Sequence, residues 1–334
     1  MNINFNVVNT ILTREHGEKS SFKVLDWRID KITETTGNHY TTQVSRLIIR
    51  YQPCGEESSA PKEKICYVKV PTDGPFYEVI ESMNCYNNEI IMYTKVFSQM
   101  YTIEKECFTP RLYYFDDNMT LMLKDLTQSG YKCVDSVQKF DIEHCIYALR
   151  CMAKFHALSV KLEKTVGLPE QVKCSPYCSA QAAKNQHFLL KQQMPQSIDS
   201  IPESLKRKYP DLITYLKNMP FENVINTLNH SSTSEFNVLN HGDFSINNIM
   251  FKYDKYGMVR KVKLVDLQTT FWNSPAQDLM YFFITNAKDL TYTPGKIETG
   301  NPYKQDHYRK IAVKWLEHLA EKGTLRIDEE HHSD

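Results

Sequence analysis

The feature that most constrains this chain is the segment "LNHGDFSINNIMF", residues 239–251, which places His241, Asp243 and Asn248 between two apolar runs. After Asn248, "IMFKY" has the pattern of a short strand, "DKYG" that of a turn, and "MVRKVKLVD" that of a returning strand ending at Asp266. Pairing of these strands would bring Asn248 beside Asp266, with Asp243 just upstream on the same loop. The sequence therefore predicts a hairpin at which two carboxylates and one carboxamide meet.

Oxygen ligands at this density suit Mg²⁺, which keeps several waters and takes further ligands from the phosphates of a nucleotide. The order H-x-D-x-x-x-x-N, hairpin, strand-terminal Asp is the catalytic pattern of the kinase superfamily. In that chemistry Asp243 accepts the proton of the acceptor hydroxyl, Asn248 and Asp266 hold the metal, and His241 braces the loop. A polar turn capping its own backbone explains Asp243 alone, but it does not explain the whole set at this spacing.

A second test of this hypothesis lies nearer the amino terminus. ATP-dependent kinases use a lysine on an internal strand to grip the α- and β-phosphates, and a glutamate on a helix to orient it. Lys69 lies in the apolar strand pattern "ICYVKV", and Glu89 shares a helical stripe with Tyr93, Val96 and Met100. Each charge would be costly alone on a buried face, whereas together each explains the other. Snorkelling of both side chains to solvent is the alternative.

Two further nucleotide contacts are predicted from their order in the chain. "TTGNHYTTQ" joins two predicted strands and reads first as a β-turn, and by its position it would bring Gly37 and Asn38 to the phosphates. "MLKDL" stands where a link between lobes would offer backbone groups of Lys124 and Leu126 to adenine. The predicted cofactors are thus ATP and Mg²⁺.

The composition excludes several other classes of function. The 334 residues contain 40 Lys+Arg and 40 Asp+Glu, so no net charge attracts nucleic acid or an anionic membrane, and neither is expected as a partner. No apolar run approaches the roughly 18 residues of a membrane helix, and the first residues lack a secretory pattern. The nine cysteines are scattered, and the close pair Cys174 and Cys178 has no second pair at zinc spacing. Free thiols and a cytoplasmic location are expected.

Strand patterns dominate the first ~125 residues and helical patterns follow, which predicts an α+β fold with two lobes, residues 1–124 and 125–334. The long helix from "DIEHCIYALRCMAKFHALSV" is expected to begin after a cap at Asp141, and it carries apolar residues at positions 142, 146, 149, 152 and 153. His156 on that helix reads as a core histidine. Asp278 is expected to brace the catalytic loop or to cap its helix. It follows Asp266 by only about a dozen residues, which leaves no room for the activation segment of a protein kinase and favours a small-molecule acceptor.

Taken together, these motifs resemble those of the insect ecdysteroid kinase-like family, also called CHK kinase-like proteins, relatives of choline kinases and aminoglycoside phosphotransferases. The similar segments are "TGNHYTTQV", "YVKV", "NEIIMY", "LKDLTQSGY", "MAKFHALS", "HGDFSINNIMFKYD", "KLVDLQ" and "PAQDLMYFF". The resemblance runs from about residue 20 to about residue 285. It implies a two-lobed protein kinase-like fold, with a small β-rich lobe and a larger helical lobe, and an insect origin.

The resemblance also implies ATP-dependent phosphorylation of a hydroxyl on a small molecule, an ecdysteroid or a xenobiotic alcohol. The sequence departs from the family at Ser245, where Trp is usual, at Leu267, where Phe is usual, and after "YFFITNAKDL", where a longer helical region is usual. Neither substitution removes a proposed metal ligand or base, whereas the third departure would remove or rebuild part of the acceptor pocket. Two alternatives stay open: a catalytically silent binder of a hormone or xenobiotic, and a kinase of the choline or aminoglycoside type.

Overall fold

The computed structural model describes most of the chain up to residue 286. The described residues are 3–32, 42–54, 60–71, 77–105, 108–135, 139–176, 179, 181–185, 191, 195, 198, 199, 201, 203–218 and 236–286. The chain forms two compact units, residues 1–182 with 229–290 and residues 183–228 with 291–334. In the second unit two helices are described, Glu203–Lys208 and Pro210–Lys217. The elements below belong to the first unit, and the lobe boundary after residue 124 stays a prediction.

A five-stranded antiparallel sheet forms the first part of this unit. The strands are β1 (Phe22–Lys31), β2 (Thr42–Pro53), β3 (Lys62–Pro71), β4 (Leu112–Phe115) and β5 (Leu121–Lys124). Their order across the sheet is β1-β2-β3-β5-β4. Strand β3 confirms the strand pattern predicted for "ICYVKV". Strand β3 lies in the centre of the sheet, between β2 and β5, and is hydrogen-bonded to both of them.

The sequence analysis did not identify the first helix, α1 (Phe5–His16). Its cap is Asn4, whose side chain accepts the backbone N–H groups of Asn6 and Val7. The helix covers one face of the sheet with four buried apolar residues, and together they form a core cluster with sheet residues. These residues are Val7, Val8, Ile11 and Leu12 from α1, and Leu47, Ile49, Cys66, Val68 and Met122 from the sheet.

The helical region after β3 confirms the helix predicted for "NNEIIMYTKVFSQM". Helix α2 (Tyr77–Ser82) precedes α3 (Cys85–Ile91), which continues through a π-helical turn (Met92–Val96) into α4 (Phe97–Ile103). The predicted stripe is buried as expected: Glu89, Tyr93, Val96 and Met100 are at most 6% exposed. A single helical stretch thus presents Glu89 toward the interior of the unit.

Two smaller sheets carry the predicted catalytic hairpin. Strand β6 (Tyr131–Cys133), which follows a 3₁₀ turn (Leu126–Ser129), pairs with β8 (Ile249–Tyr253), and β8 pairs with β9 (Val259–Leu264). Strand β7 (Val238–Asn240) pairs with β10 (Phe271–Asn273). The β8–β9 hairpin is the one expected from the sequence, with Ile249 opposite Leu264. Its register brings the residues just before β8 and just after β9 to the same end.

The long helix α5 (Ile142–Thr165) begins after Asp141, which caps it as predicted. The apolar stripe seen in the sequence is not the buried face throughout, because Ile142 is 64% exposed, Ile146 is 42% exposed, and Ala153 is exposed. The buried face is instead made of Ala148, Cys151, Met152, Phe155, His156, Ser159 and Leu162. Short helix α6 (Glu170–Lys173) and helix α7 (Ala276–Thr285) complete the described part of this unit. Among the described residues, no helix has the length and hydropathy to cross a membrane.

The content of sheet and helix agrees with the predicted α+β class. The cysteines that the structure describes are all free thiols: Cys54, Cys66, Cys85, Cys133, Cys145, Cys151 and Cys174. Gly37, Asn38 and Cys178 lie outside the described residues.

Candidate active site

A buried ion-pair cluster forms where β3, α3 and the end of β9 meet. The Lys69 Nζ atom lies 2.6 Å from Glu89 Oε2 and 3.0 Å from Asp266 Oδ1. The side chains of Lys69 and Glu89 are 8% and 2% exposed, whereas that of Asp266 is 26% exposed. One cation therefore faces two carboxylates, and the excess negative charge is at the carboxylate that solvent reaches.

Lys69 is held in its charged form by this arrangement. Burial on its own would lower the pKa of Lys69, because desolvation penalises the ammonium group. The charges of Asp266 and Glu89, with the hydrogen bonds that both accept, outweigh this effect and raise the pKa above its ordinary value of 10.5. Lys69 is thus a fixed positive charge at neutral pH.

The loop between β7 and β8 carries His241, Asp243 and Asn248. His241 uses both ring nitrogens: Nε2 donates to the carbonyl oxygen of Val265 at 3.0 Å, and Nδ1 accepts the backbone N–H of Asp243 at 3.4 Å. These contacts fix the tautomer that carries the proton on Nε2. His241 therefore ties the loop to the end of β9, directly before Asp266.

Asp243 and Asn248 are joined directly. The amide Nδ2 of Asn248 donates to Asp243 Oδ2 at 2.8 Å and to the Asp243 carbonyl oxygen at 3.0 Å. Within the described residues no hydrogen bond uses Oδ1 of Asn248. The Asn248 carbonyl oxygen accepts the backbone N–H of Val265 at 3.0 Å, which closes the hairpin beside Asp266. The hairpin thus brings Asp243 and Asn248 to the end at which Asp266 leaves β9.

Asp278, in the first turn of α7, hydrogen-bonds to the backbone of the loop between β7 and β8. Its Oδ2 accepts the backbone N–H of His241 at 2.8 Å, and its Oδ1 accepts that of Gly242 at 3.0 Å. His156 Nε2 lies 2.9 Å from Asp278 Oδ2, so this buried histidine orients the carboxylate from α5. Asp278 therefore braces the loop, which was one of its two expected roles.

Gly242 is required by the backbone at this point of the loop. Its φ is +82°, and a Cβ atom there would lie 2.1 Å from the carbonyl oxygen of Thr269. Any side chain would push the loop away from the segment that follows Asp266. Asp266 itself has a φ of +63°, a conformation that Asp and Asn tolerate better than most residues do.

One residue of this site was missed by the sequence analysis. The buried Nδ2 of Asn88 donates to the carbonyl oxygens of Gln268 at 3.0 Å and Thr270 at 2.9 Å. Asn88 therefore ties α3 to the segment after Asp266, and its neighbour Glu89 accepts the backbone N–H of Leu267 at 3.4 Å. The sequence signal that could have identified Asn88 is its position as a polar residue next to Glu89, in a helix whose residues are mostly buried.

The predicted adenine contacts lie at the end of β5 and in the 3₁₀ turn that follows it. The backbone N–H of Lys124 donates to the carbonyl oxygen of Arg111 at 2.8 Å. Leu126 is buried and begins the 3₁₀ turn, whose N-cap is Asp125. Roles for Lys124 and Leu126 in nucleotide binding stay predictions, as do those of Gly37 and Asn38.

The donor set fits magnesium held together with phosphates better than a metal held by protein alone. Asp266 offers a partly exposed carboxylate and Asn248 a carboxamide oxygen, both hard oxygen ligands. In the part of the chain that the structure describes, no three His, Cys, Asp or Glu side chains form a metal-binding group. A cation here would draw its other ligands from water and from a bound nucleotide.

Comparisons with known proteins identify the family of this chain. The model of the ecdysteroid kinase-like family matches residues 36–293, which is more than half of the chain. No curated protein matches in sequence. Among solved structures, an ethanolamine kinase from Plasmodium vivax is similar with a TM-score of 0.36 and 13% identity, over 80% of this chain and 64% of that one. The chain thus spans less than two thirds of that enzyme's length.

Proposed function

The chain belongs to the ecdysteroid kinase-like family and has its kinase-like α+β fold, and we propose that it transfers the γ-phosphate of ATP to a hydroxyl group of a small molecule. The observation that carries this proposal is the three-residue cluster of Lys69, Glu89 and Asp266 in the same unit as the Asp243–Asn248 pair. A protein that only binds a small molecule has no need of a buried lysine shared between two carboxylates.

Each residue has a distinct role in this proposal. Lys69, oriented by Glu89, neutralises charge on the α- and β-phosphates of ATP. Asp266 and Asn248 would hold Mg²⁺, which offsets the charge of the phosphates when bound. The Oδ2 atom of Asp243 is held by Asn248, so Oδ1 is the atom that can accept a proton. His241, Asp278 and His156 fix the loop and have no chemical role.

The proposed reaction is a displacement at the γ-phosphorus. The acceptor O–H gives its proton to Asp243 as its oxygen forms a bond to phosphorus, and the bond from phosphorus to the β–γ bridging oxygen breaks. The products are a phosphate monoester and ADP. Because the transition state of phosphoryl transfer is loose, positioning and charge stabilisation account for most of the acceleration.

We propose an ecdysteroid or another alcohol, such as a xenobiotic alcohol, as the acceptor. The chain passes from Asp266 through β10 to Asp278 in the first turn of α7, without room for a peptide-binding activation segment. An acceptor of the choline or aminoglycoside type would use the same chemistry, and the acceptor panel below separates these classes.

The free thiols of the described cysteines support a reducing compartment, and we place the reaction in the cytoplasm. Addition of a fluorescent tag to either end, followed by imaging in cells, tests this. A signal in a secretory compartment would contradict it.

The experiment that tests the function is transfer of labelled γ-phosphate from Mg·ATP to a panel of ecdysteroids, plant-derived alcohols, choline and ethanolamine. We expect labelled product with an alcohol of the first two groups. Asp243→Asn should lower kcat about 10³-fold, because a positioned base contributes about 10²–10⁴-fold, while ATP affinity changes little. Asp117→Asn, at an exposed position in the β4–β5 turn, is the matched control and should leave turnover unchanged.

Unchanged turnover in Asp243→Asn would remove this residue as the base. Stabilisation by Mg·ATP without transfer to any acceptor would instead favour a silent binder. Product with choline or ethanolamine alone would keep the mechanism and replace the acceptor class.

A further inference from the structure

A cavity lies beside α4 and does not include the Lys69 cluster or the Asp243–Asn248 pair. It has a volume of about 860 Å³, within the range of sites for small organic ligands. Its walls come from the end of α1, the π-helical turn and α4, β4 with the residues before it, and the link after β5. Lys69, Glu89, Asp243, Asn248 and Asp266 do not line it.

The cavity is strongly cationic although the whole chain has no net charge. Its lining contains five cationic side chains and one carboxylate, that of Glu15; the cations are Arg14, Lys105, Arg111, Lys124 and Lys263. Glu15 is already neutralised from outside the cavity, since its Oε1 lies 2.7 Å from Lys64 Nζ but 3.9 Å from Lys124 Nζ. The local excess of positive charge is therefore larger than the count of lining residues suggests.

Three of these cations have no acidic partner in the described part of the chain. Arg14 donates from Nη1 to the carbonyl oxygen of Tyr113 at 2.9 Å, which leaves its charge uncompensated. Lys105 and Arg111 form no ion pair with any described carboxylate, and both are exposed. Guanidinium groups bind phosphate and carboxylate through paired hydrogen bonds, so an arginine-rich wall is suited to an oxyanion.

The remaining wall is apolar and largely aromatic. Phe97 and Tyr101 stack with ring centroids 5.9 Å apart, and Leu112 and Leu126 extend this surface. Phe115, at the cavity, is 41% exposed. An aromatic or fused-ring body that packs on the exposed part of this wall, at Phe115 and Leu112, gains both burial and ring contacts.

We propose that this cavity is a binding site for a small organic anion, in which a phosphate, sulfate or carboxylate group is attached to an aromatic or fused-ring body. The anionic group pairs with Arg14 and Arg111, and the body packs against Phe115 and Leu112. Lys124 and Leu126 line this cavity as well, but their predicted contacts with adenine use backbone groups, whereas the anion would be held by the side chains of Arg14 and Arg111, so we treat the two sites as separate.

The test is a calorimetric titration of the full chain with 1-naphthyl phosphate, repeated with saturating Mg²⁺ and a non-hydrolysable ATP analogue. The neutral 1-naphthol is the matched ligand, while naphthalene-2-sulfonate and 2-naphthoate identify the preferred anion. We expect the preferred anion to bind at least about ten-fold more tightly than naphthol, since charge-assisted hydrogen bonds add 1.5–3 kcal/mol in general. The nucleotide analogue should leave this affinity unchanged.

Variants locate the binding in the cavity. Arg14→Gln combined with Arg111→Gln should weaken binding of the anion about ten-fold. Lys19→Gln combined with Lys23→Gln removes two exposed charges elsewhere and should change it less than about two-fold. Because Arg14 also supports Tyr113, a third variant, Ser98→Tyr, keeps every cation and narrows the cavity from α4. It should also weaken binding of the anion, with unfolding temperature as the check on folding.

Equal affinity for naphthol and all three anions would overturn the proposal, and so would displacement by the ATP analogue. Equal losses in the Arg14/Arg111 and Lys19/Lys23 variants would show that net charge alone attracts the anion, and would also overturn it. Unchanged binding in Ser98→Tyr would place the ligand elsewhere.

Discussion

Two buried lysines on the same strand serve different ends. Lys64 and Lys69 both lie on β3 and are 9% and 7% exposed, and their positions place them on opposite faces of the sheet. Lys64 Nζ lies 2.7 Å from Glu15 Oε1 and donates to Tyr113 Oη at 2.7 Å, while Tyr113 donates to Glu15 Oε2 at 2.5 Å. Lys69 pairs with Glu89 and Asp266. Each lysine is therefore compensated, but by different sets of charges.

The two clusters differ in their net charge. The charges of Lys64 and Glu15 cancel, and the neutral hydroxyl group of Tyr113 hydrogen-bonds to both side chains. This cluster therefore has no net charge that needs a further partner. Lys69 faces two carboxylates, one of them 26% exposed on a backbone with positive φ. Strain and unbalanced charge persist only where the surrounding structure enforces them, and they are typical of functional sites. In the proposed function, the first cluster stabilises the fold, whereas the second would receive a cation and phosphates.

The largest effect is expected from removing the charge of Lys69. Lys69→Met should lower kcat about 10³-fold, because the phosphates lose a preorganised cation in a site with little water. Lys64→Met should keep kcat within about three-fold of the wild-type value, since Lys64 lies on the other face of the sheet. Phosphate transfer, measured well below the unfolding temperature of both variants, decides between them. Similar losses of kcat would break the distinction between the two lysines.

Stability should respond to Lys64 even though activity does not. Lys64→Met leaves Glu15 and Tyr113 without their cation, and breaking a buried pair costs about 3–5 kcal/mol. Because Glu15 is 21% exposed and solvent can rescue part of its charge, we expect a loss near the lower end, about 3 kcal/mol. Urea denaturation measures the free energy of unfolding. Lys23→Met, at an exposed position on β1, should change it by less than about 0.5 kcal/mol.

The parts of the site that sequence predicted are those with a local signal. The β8–β9 hairpin follows from a turn between two β-branched runs, and it carries Asn248 and Asp266 to the same end. Lys69 and Glu89 follow from the periods of one strand and one helix, because a charge on a buried face needs a partner. These signals require no knowledge of which elements meet.

The contacts that sequence could not predict join distant residues without a pattern. Asn88 meets the carbonyl oxygen of Thr270 at a separation of 182 residues, and His156 meets Asp278 at a separation of 122. Helix α1 was missed because its apolar run is short and lies among asparagines. On α5, small and polar residues share the buried face with Met152, Phe155 and Leu162: Ser159 Oγ accepts the backbone N–H of Leu239 at 2.9 Å. Large apolar side chains alone therefore do not define that face.

A smaller effect is expected from removing the unbalanced charge of the Lys69 cluster. Asp266→Asn leaves Lys69 and Glu89 as a balanced pair, and asparagine tolerates the φ of +63°. Without ligands, we expect a free energy of unfolding equal to that of the wild-type protein or up to about 1 kcal/mol higher. Mg·ATP at 100 times its dissociation constant should stabilise the wild-type protein by about 2.7 kcal/mol, and the variant should lose most of this gain.

Thermal unfolding with and without Mg·ATP measures both effects of Asp266→Asn, with Asp117→Asn as the control of equal charge change. A variant that is less stable without ligands but keeps its response to Mg·ATP would assign Asp266 a structural role. Both lysine clusters would then serve only to stabilise the fold.

The smallest effect concerns the pH dependence of the balanced cluster. Burial alone would raise the pKa of Glu15, but hydrogen bonds from Lys64 and Tyr113 and the charge of Lys64 lower it from 4.5 to about 2. A carboxyl group with a lowered pKa contributes stability that is fully present above its unfolded value and is lost as the pH falls toward the folded value. Glu15 therefore contributes at pH 7, and part of that contribution is lost at pH 3.

Comparison of urea denaturation at pH 7 and pH 3 in the wild-type protein and in Glu15→Gln isolates this contribution, since the other carboxylates titrate in both. After allowance for solvent screening of a partly exposed pair, the loss of stability on acidification should be about 1 kcal/mol larger in the wild-type protein. The variant has no proton to gain at this position. An equal loss in both proteins would mean that Lys64 does not stabilise the Glu15 carboxylate, and the balanced cluster would then owe its stability to packing of α1 rather than to charge.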